Sequence, residues 1–102
     1  MDKSNSIDLN TVIQRNEVKF LANRLGEEMV MMNMETGDFV TLNNVGADIW
    51  TIADQPMPVK DLVKKLQEIY DISDEQCLAE TREFLLSTRD ENIFVFHNTT
   101  SN

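Results

Sequence analysis

An α+β domain is what this sequence predicts, and three observations carry the prediction. Apolar residues recur at period two before Leu42 and at a helical period after it. Turn and cap residues stand where the pattern breaks, at Gly26, Gly37, Asn43, Pro58 and Ser73. A chain of 102 residues has room for one core and not for two.

The elements follow in order. Residues 1–16 begin polar and Ser/Asn/Asp-rich, which predicts a flexible N-terminal segment. The stretch EVKFLAN (17–23) places Val18, Phe20 and Ala22 on one face of a first strand. Arg24-Leu25-Gly26 reads as a turn, and EEMVMMNM (27–34) as a second strand apolar enough to be covered on both faces for part of its length. Gly37 supplies hairpin-turn chemistry before the third strand, Phe39–Leu42.

Asn43 then suits an N-cap. Val45, Ile49, Ile52 and Ala53 form the stripe of a first helix with Trp50 beside it, and Gly46 and Ala47 imply that another backbone comes close. Pro56 ends this helix, and Pro58 opens a second whose stripe is Val59, Leu62, Val63, Leu66 and Ile69. Ser73 with Gln76 signals the start of a third helix, with Cys77, Leu78, Thr81, Phe84, Leu85 and Thr88 facing inward. Ile93–Phe96 can add a short strand, and residues 97–102 read as a flexible tail. The domain proper is thus residues 17–96: a three-stranded antiparallel β-meander followed by three α-helices, a winged-helix-like order with the wing moved to the front.

Charge narrows the function. Eighteen acidic against nine basic residues leave a net charge of −9, which repels phosphate backbones and anionic lipid. A winged-helix-like fold invites a DNA-binding reading. Its recognition helix, however, would carry between Asp74 and Glu91 the acids Asp74, Glu75, Glu80, Glu83, Asp90 and Glu91 against Arg82 and Arg89, a net of −4. Nucleic acid is not the expected partner, and neither is a membrane: no apolar run approaches spanning length, and the N-terminus has no signal-like apolar core. A cytoplasmic protein is expected. A monomer is the simpler state, with a dimer as the alternative.

No catalytic constellation stands out. His97 is the only histidine and sits in the polar tail. Cys77, the only cysteine, falls on a buried stripe between Glu75 and Glu80, which suits a small hydrophobe and not an activated thiol. The acids at 71, 74 and 75 lack the spacing and central glycine of a calcium loop and instead complement a helix dipole. No enzyme, metal or cofactor is therefore expected. What remains is the edge: a terminal meander strand leaves N–H and C=O groups free to template a guest strand. The competing possibility is that residues 8–16 or a second copy cover it.

The residues also carry a resemblance. Gly37-Asp38-Phe39-Val40-Thr41-Leu42-Asn43, followed by Gly46 and Ile49-Trp50, resembles the G-x-(aromatic)-x-x-L-N-x-x-G-x-x-I-W core of PqqD-like proteins. Val59–Leu62 and Phe84-Leu85 match the second and third helices of that pattern, and the likeness spans roughly residues 17–96. The chain departs from it at Glu80-Thr81, where an Asp-Val pair is common, at Thr88 in place of Leu, and at Asn92 in place of Gly. PqqD-like domains are recognition elements for ribosomally made, post-translationally modified peptides. The resemblance implies a non-catalytic protein that captures the leader of a precursor peptide as an added strand. It then presents the precursor to an enzyme, either a leader peptidase of a lasso-peptide pathway, which the style of residues 26–43 favours, or a radical SAM maturase. The leader-contacting positions carried over are Asp38, Phe39, Val40, Thr41 and Leu42 on the edge, and Cys77, Glu80, Thr81, Phe84 and Thr88 on the helix. A winged-helix-like regulator acting through protein contacts is the alternative.

Overall fold

The computed structural model describes residues 7–97. Its elements are β1 (Val12–Arg15), β2 (Phe20–Leu25), β3 (Glu28–Asn33), β4 (Phe39–Leu42), α1 (Asn44–Ile52), β5 (Met57–Pro58), α2 (Val59–Ile69), α3 (Asp74–Arg89) and β6 (Phe94–His97). The architecture is α+β, as expected, and the expected meander is present as the sheet β2-β3-β4.

Turn chemistry sets the register of that sheet. Gly26 takes φ +66° in a two-residue connection, so Leu25 pairs with Glu28 and the rest of the ladder follows. Gly37 (φ +80°) closes the β3–β4 turn, where the Asn33 side chain accepts from the backbone N–H groups of Glu35 and Thr36. Alternation then sorts the residues. Phe20, Met29, Met31 and Leu42 are buried on one face, while Leu21 and Phe39 stand exposed on the other, in one row with Met32. The methionines divide the same way: Met29 and Met31 fill the core, and Met34 is exposed.

The helices form as their caps predict. The Asn43 side chain accepts from Gly46 N–H at 2.9 Å, and Ser73 Oγ accepts from Gln76 N–H at 3.1 Å. The Gln76 side chain turns to Glu80 instead of back to Ser73, so only half of the capping box is made. The stripe of α2 is buried at Val59, Leu62, Val63 and Leu66, but Ile69 is exposed because the helix ends there.

A second sheet, β5-β1-β6, contains the expected short strand near Ile93–Phe96 as β6, but β1 and β5 were not expected. Its central strand is β1, so a domain boundary at residue 17 does not describe this chain. Ile13 is fully buried and Ile7 nearly so, and Arg15 lies over the Trp50 ring at 5.7 Å. β1 and β5 are only four and two residues long, too short for alternation to stand out from a polar background. Val18 is also displaced from its expected strand into the β1–β2 turn, where it is 90% exposed. The remaining parts of the expected flexible ends, residues 1–6 and 98–102, lie outside the described residues.

Helices α1 and α3 and strand β6 meet on one aromatic cluster. Phe94 of β6 packs edge-on against both Trp50 and Phe84, each at 5.9 Å between centroids. The turn that delivers β6 contains Asn92 at φ 60°, the only non-glycine residue with positive φ among those described. Asparagine tolerates that left-handed backbone better than most residues do, which accounts for its standing where the resembled pattern has glycine.

Candidate functional site

The free edge of β4 follows from the ladder. Asn33 N–H donates to the Asp38 carbonyl at 2.8 Å, which makes 33/38 a hydrogen-bonded pair. Antiparallel pairs alternate, so Val40 and Leu42 turn their N–H and C=O groups toward Met31 and Met29 of β3. Phe39 and Thr41 therefore point theirs away from the sheet, and no other described strand pairs with β4. The side chains alternate on the perpendicular axis: Phe39 (69% exposed) and Thr41 outward, Val40 and Leu42 inward. Asp38 is exposed at the strand's entrance.

Residues 8–16 do not cover this edge. The Thr11 and Leu9 carbonyls accept from the N–H groups of Val59 and Lys60, and β1 is held between β5 and β6. That part of the covering alternative fails, because the same residues are committed to the other sheet.

Helix α3 reaches the corner where β4 hands over to α1. A Cβ built on Gly46 would lie 2.8 Å from Phe84 Cε1 and 3.3 Å from Leu42 Cβ. The close neighbour that requires Gly46 is thus an aromatic ring and not, as expected, a backbone. Gly46→Ala is expected to destabilise the domain by about 1–2 kcal/mol, since overpacking outweighs the gain in helix propensity. Phe84 cannot simply swing aside, because its ring is set against Phe94. Chemical denaturation of the two proteins measures the difference.

Of the helix residues predicted for the site, Cys77, Glu80 and Thr81 come together. They line a pocket of about 70 Å³ with Val45, Leu66, Tyr70 and Ile72. Cys77 is buried with its sulfur 3.7 Å from the Val63 carbonyl, and burial pushes its thiol pKa up, as befits an unreactive core cysteine. Glu80 is exposed at the pocket rim, and Phe84 is half-buried beneath the corner. Thr88 stands apart: its hydroxyl donates to the Phe84 and Leu85 carbonyls of its own helix, and it is 6% exposed. Position 88 thus offers bulk and no free polar group. His97 ends β6 and is exposed.

Sequence reasoning missed the polar clasp behind this pocket. Tyr70 donates to Asp48 Oδ2 at 2.6 Å, and Arg24 donates to Asp48 Oδ1 at 3.1 Å, joining β2, α1 and the end of α2. The three residues are far apart in the chain and share no pattern. Burial first, and then the bond to Asp48, push the Tyr70 pKa up to about 12. A raised pKa means that the folded state holds the proton more tightly, so this stabilisation is present below the ordinary tyrosine value near 10 and is lost as pH rises toward 12. Tyr70→Phe is accordingly expected to lower stability at neutral pH by about 1 kcal/mol and to flatten the alkaline loss. Denaturation midpoints from pH 8 to 12 check both.

An antiparallel sheet that leaves the outer edge of β4 open, with a helix bearing exposed acidic residues reaching the corner after it, defines a small α+β domain. Among the described residues no cluster of His, Cys, Asp or Glu could hold a metal ion, and no described helix is long and apolar enough to cross a membrane. The chain belongs to the PqqD family: the family described as coenzyme PQQ synthesis protein D matches residues 28–93. The fold is also similar to a solved structure described as TbiB1 in complex with the TbiA(beta) leader peptide. That likeness has a TM-score of 0.70 at 16% identity and covers 87% of this chain and 99% of the other. No curated protein matches in sequence.

Proposed function

We propose that this protein captures the leader of a ribosomally synthesised precursor peptide as an added strand on β4 and presents it to a modifying or leader-cleaving enzyme. The observation that carries the reading is the edge itself: Phe39 and Thr41 aim backbone groups away from β3, where no described strand meets them. Family membership supports it, as does the likeness to TbiB1, which holds a leader peptide in its solved structure. Main-chain bonds to Phe39 and Thr41 supply affinity, and side-chain contacts supply selectivity. Asp38 and Glu80 favour a leader with a basic residue. Val40 and Leu42 with Phe84 make an apolar floor, and the Cys77–Thr81 pocket takes an aliphatic side chain. Thr88 contributes shape alone.

In this reading the protein is an adaptor that performs no chemistry, works in the cytoplasm and needs no cofactor. A lasso-peptide pathway with a leader peptidase is the favoured setting, and a radical SAM maturase is the other. The genes beside it discriminate: a short precursor next to a transglutaminase-like peptidase and an asparagine-synthetase-like cyclase fits the first, and a radical enzyme the second. Binding is tested by titrating a peptide from the precursor's N-terminal segment into the isotope-labelled protein while following the protein's backbone amides by NMR. Perturbation centred on Phe39 and Thr41 is expected, and perturbation elsewhere alone would refute strand addition on β4.

A further inference from the structure

The second sheet has an open edge of its own. Asn16 N–H donates to the Ile93 carbonyl at 3.0 Å, so 16/93 is a hydrogen-bonded pair, and alternation makes Gln14/Val95 and Val12/His97 the next two. Phe94 and Phe96 therefore direct their N–H and C=O groups away from β1, and no described strand meets them.

Three consecutive residues, Phe94, Val95 and Phe96, line one open cleft of about 500 Å³. On the face of a strand only alternate residues share a surface, so a run of three means that β6 turns its edge to the cleft. The cleft is also lined by Val18, a residue left 90% exposed, together with Lys19 and Glu35. The edge is rigid, because the Phe94 ring is buried against Trp50 and Phe84, so little ordering is required of the host.

We propose that β6 is a second strand-addition site, independent of the one on β4, and that its guest is an extended segment of a partner protein in which apolar residues alternate with lysine or arginine. Charge selects this occupant. Lys19 lies 3.9 Å from Glu35 and offsets it, while Asp90 and Glu91 stand exposed at the approach to β6. A second copy of a chain with net charge −9 would meet its own sign there. Because the two edges belong to different sheets, one molecule can hold a peptide on β4 and a partner on β6 together.

The test uses the full chain, amide-resolved NMR and a synthetic nonapeptide of alternating valine and lysine, with a valine–glutamate peptide as its counterpart. In the free protein the amides of Phe94 and Phe96 should exchange quickly. On adding the valine–lysine peptide they should shift and become protected, together with those of Val18 and Lys19. The response should persist in Thr41→Pro, which closes the other edge. Val18→Lys, at an exposed position, should weaken it by about threefold through like-charge repulsion. Amides at 94 and 96 already protected in the free chain, a response confined to Phe39 and Thr41, equal binding of the valine–glutamate peptide, or concentration-dependent pairing of β6 with itself would each overturn the proposal. None of these outcomes refutes leader binding at β4, which is read at Phe39 and Thr41 with the leader peptide.

Discussion

Replacing Thr41 by proline is expected to weaken leader binding by at least about tenfold while leaving the domain folded. The reasoning rests on which way one N–H points. Thr41 lies at a position of β4 whose backbone faces away from β3, so its N–H makes no bond within the sheet. Proline removes that donor and puts a ring where the guest strand must approach, at a cost of one or more net hydrogen bonds. Val40, one residue earlier, faces β3, and Val40→Pro should break the ladder at Met31 and cost about 3 kcal/mol of stability. The pair of variants separates a binding edge from a structural one. Titration of a labelled leader peptide measures the first effect and thermal melting the second. Equal affinity of wild type and Thr41→Pro would remove the basis of the strand-addition mechanism.

A chain begun at Glu17 is expected not to fold cooperatively. Residues 7–16 look expendable by composition, yet they contribute the middle strand of the second sheet. Removing them leaves β5 and β6 without a partner, and Phe94, the residue that joins Trp50 to Phe84, loses the strand that positions it. The fully buried Ile13 and the nearly buried Ile7 go too, each a loss of roughly 2–5 kcal/mol when such a side chain is cut back to alanine. A small domain has about 5–15 kcal/mol in total, so the deletion removes most or all of its stability. Circular dichroism with a urea titration decides. A sharp transition near that of the full chain would show that β1 is dispensable.

Much of this was legible beforehand for a definite reason. Period and punctuation are local properties, and β2, β3, β4 and the three helices are long enough, or well enough bounded by Gly26, Gly37, Asn43 and Ser73, to show them. The period and the turn at Gly37 likewise placed Phe39–Leu42 last in the meander, whereas the α3 positions came from the resemblance alone. They could not reveal that the Thr88 hydroxyl is spent inside its own helix, or that Gly46 is small on account of Phe84.

The sequence alone determined the class of domain, the position of the open edge and the absence of any recognisable catalytic motif, because each depends on neighbours in the chain. Only the tertiary structure decided that residues 12–15 belong to the core, that Arg24, Asp48 and Tyr70 form one clasp, and that β6 exposes an edge of its own. These features join residues more than twenty positions apart through pairing and packing. A pattern within a window of the chain does not encode them; they exist only once distant segments have paired and packed.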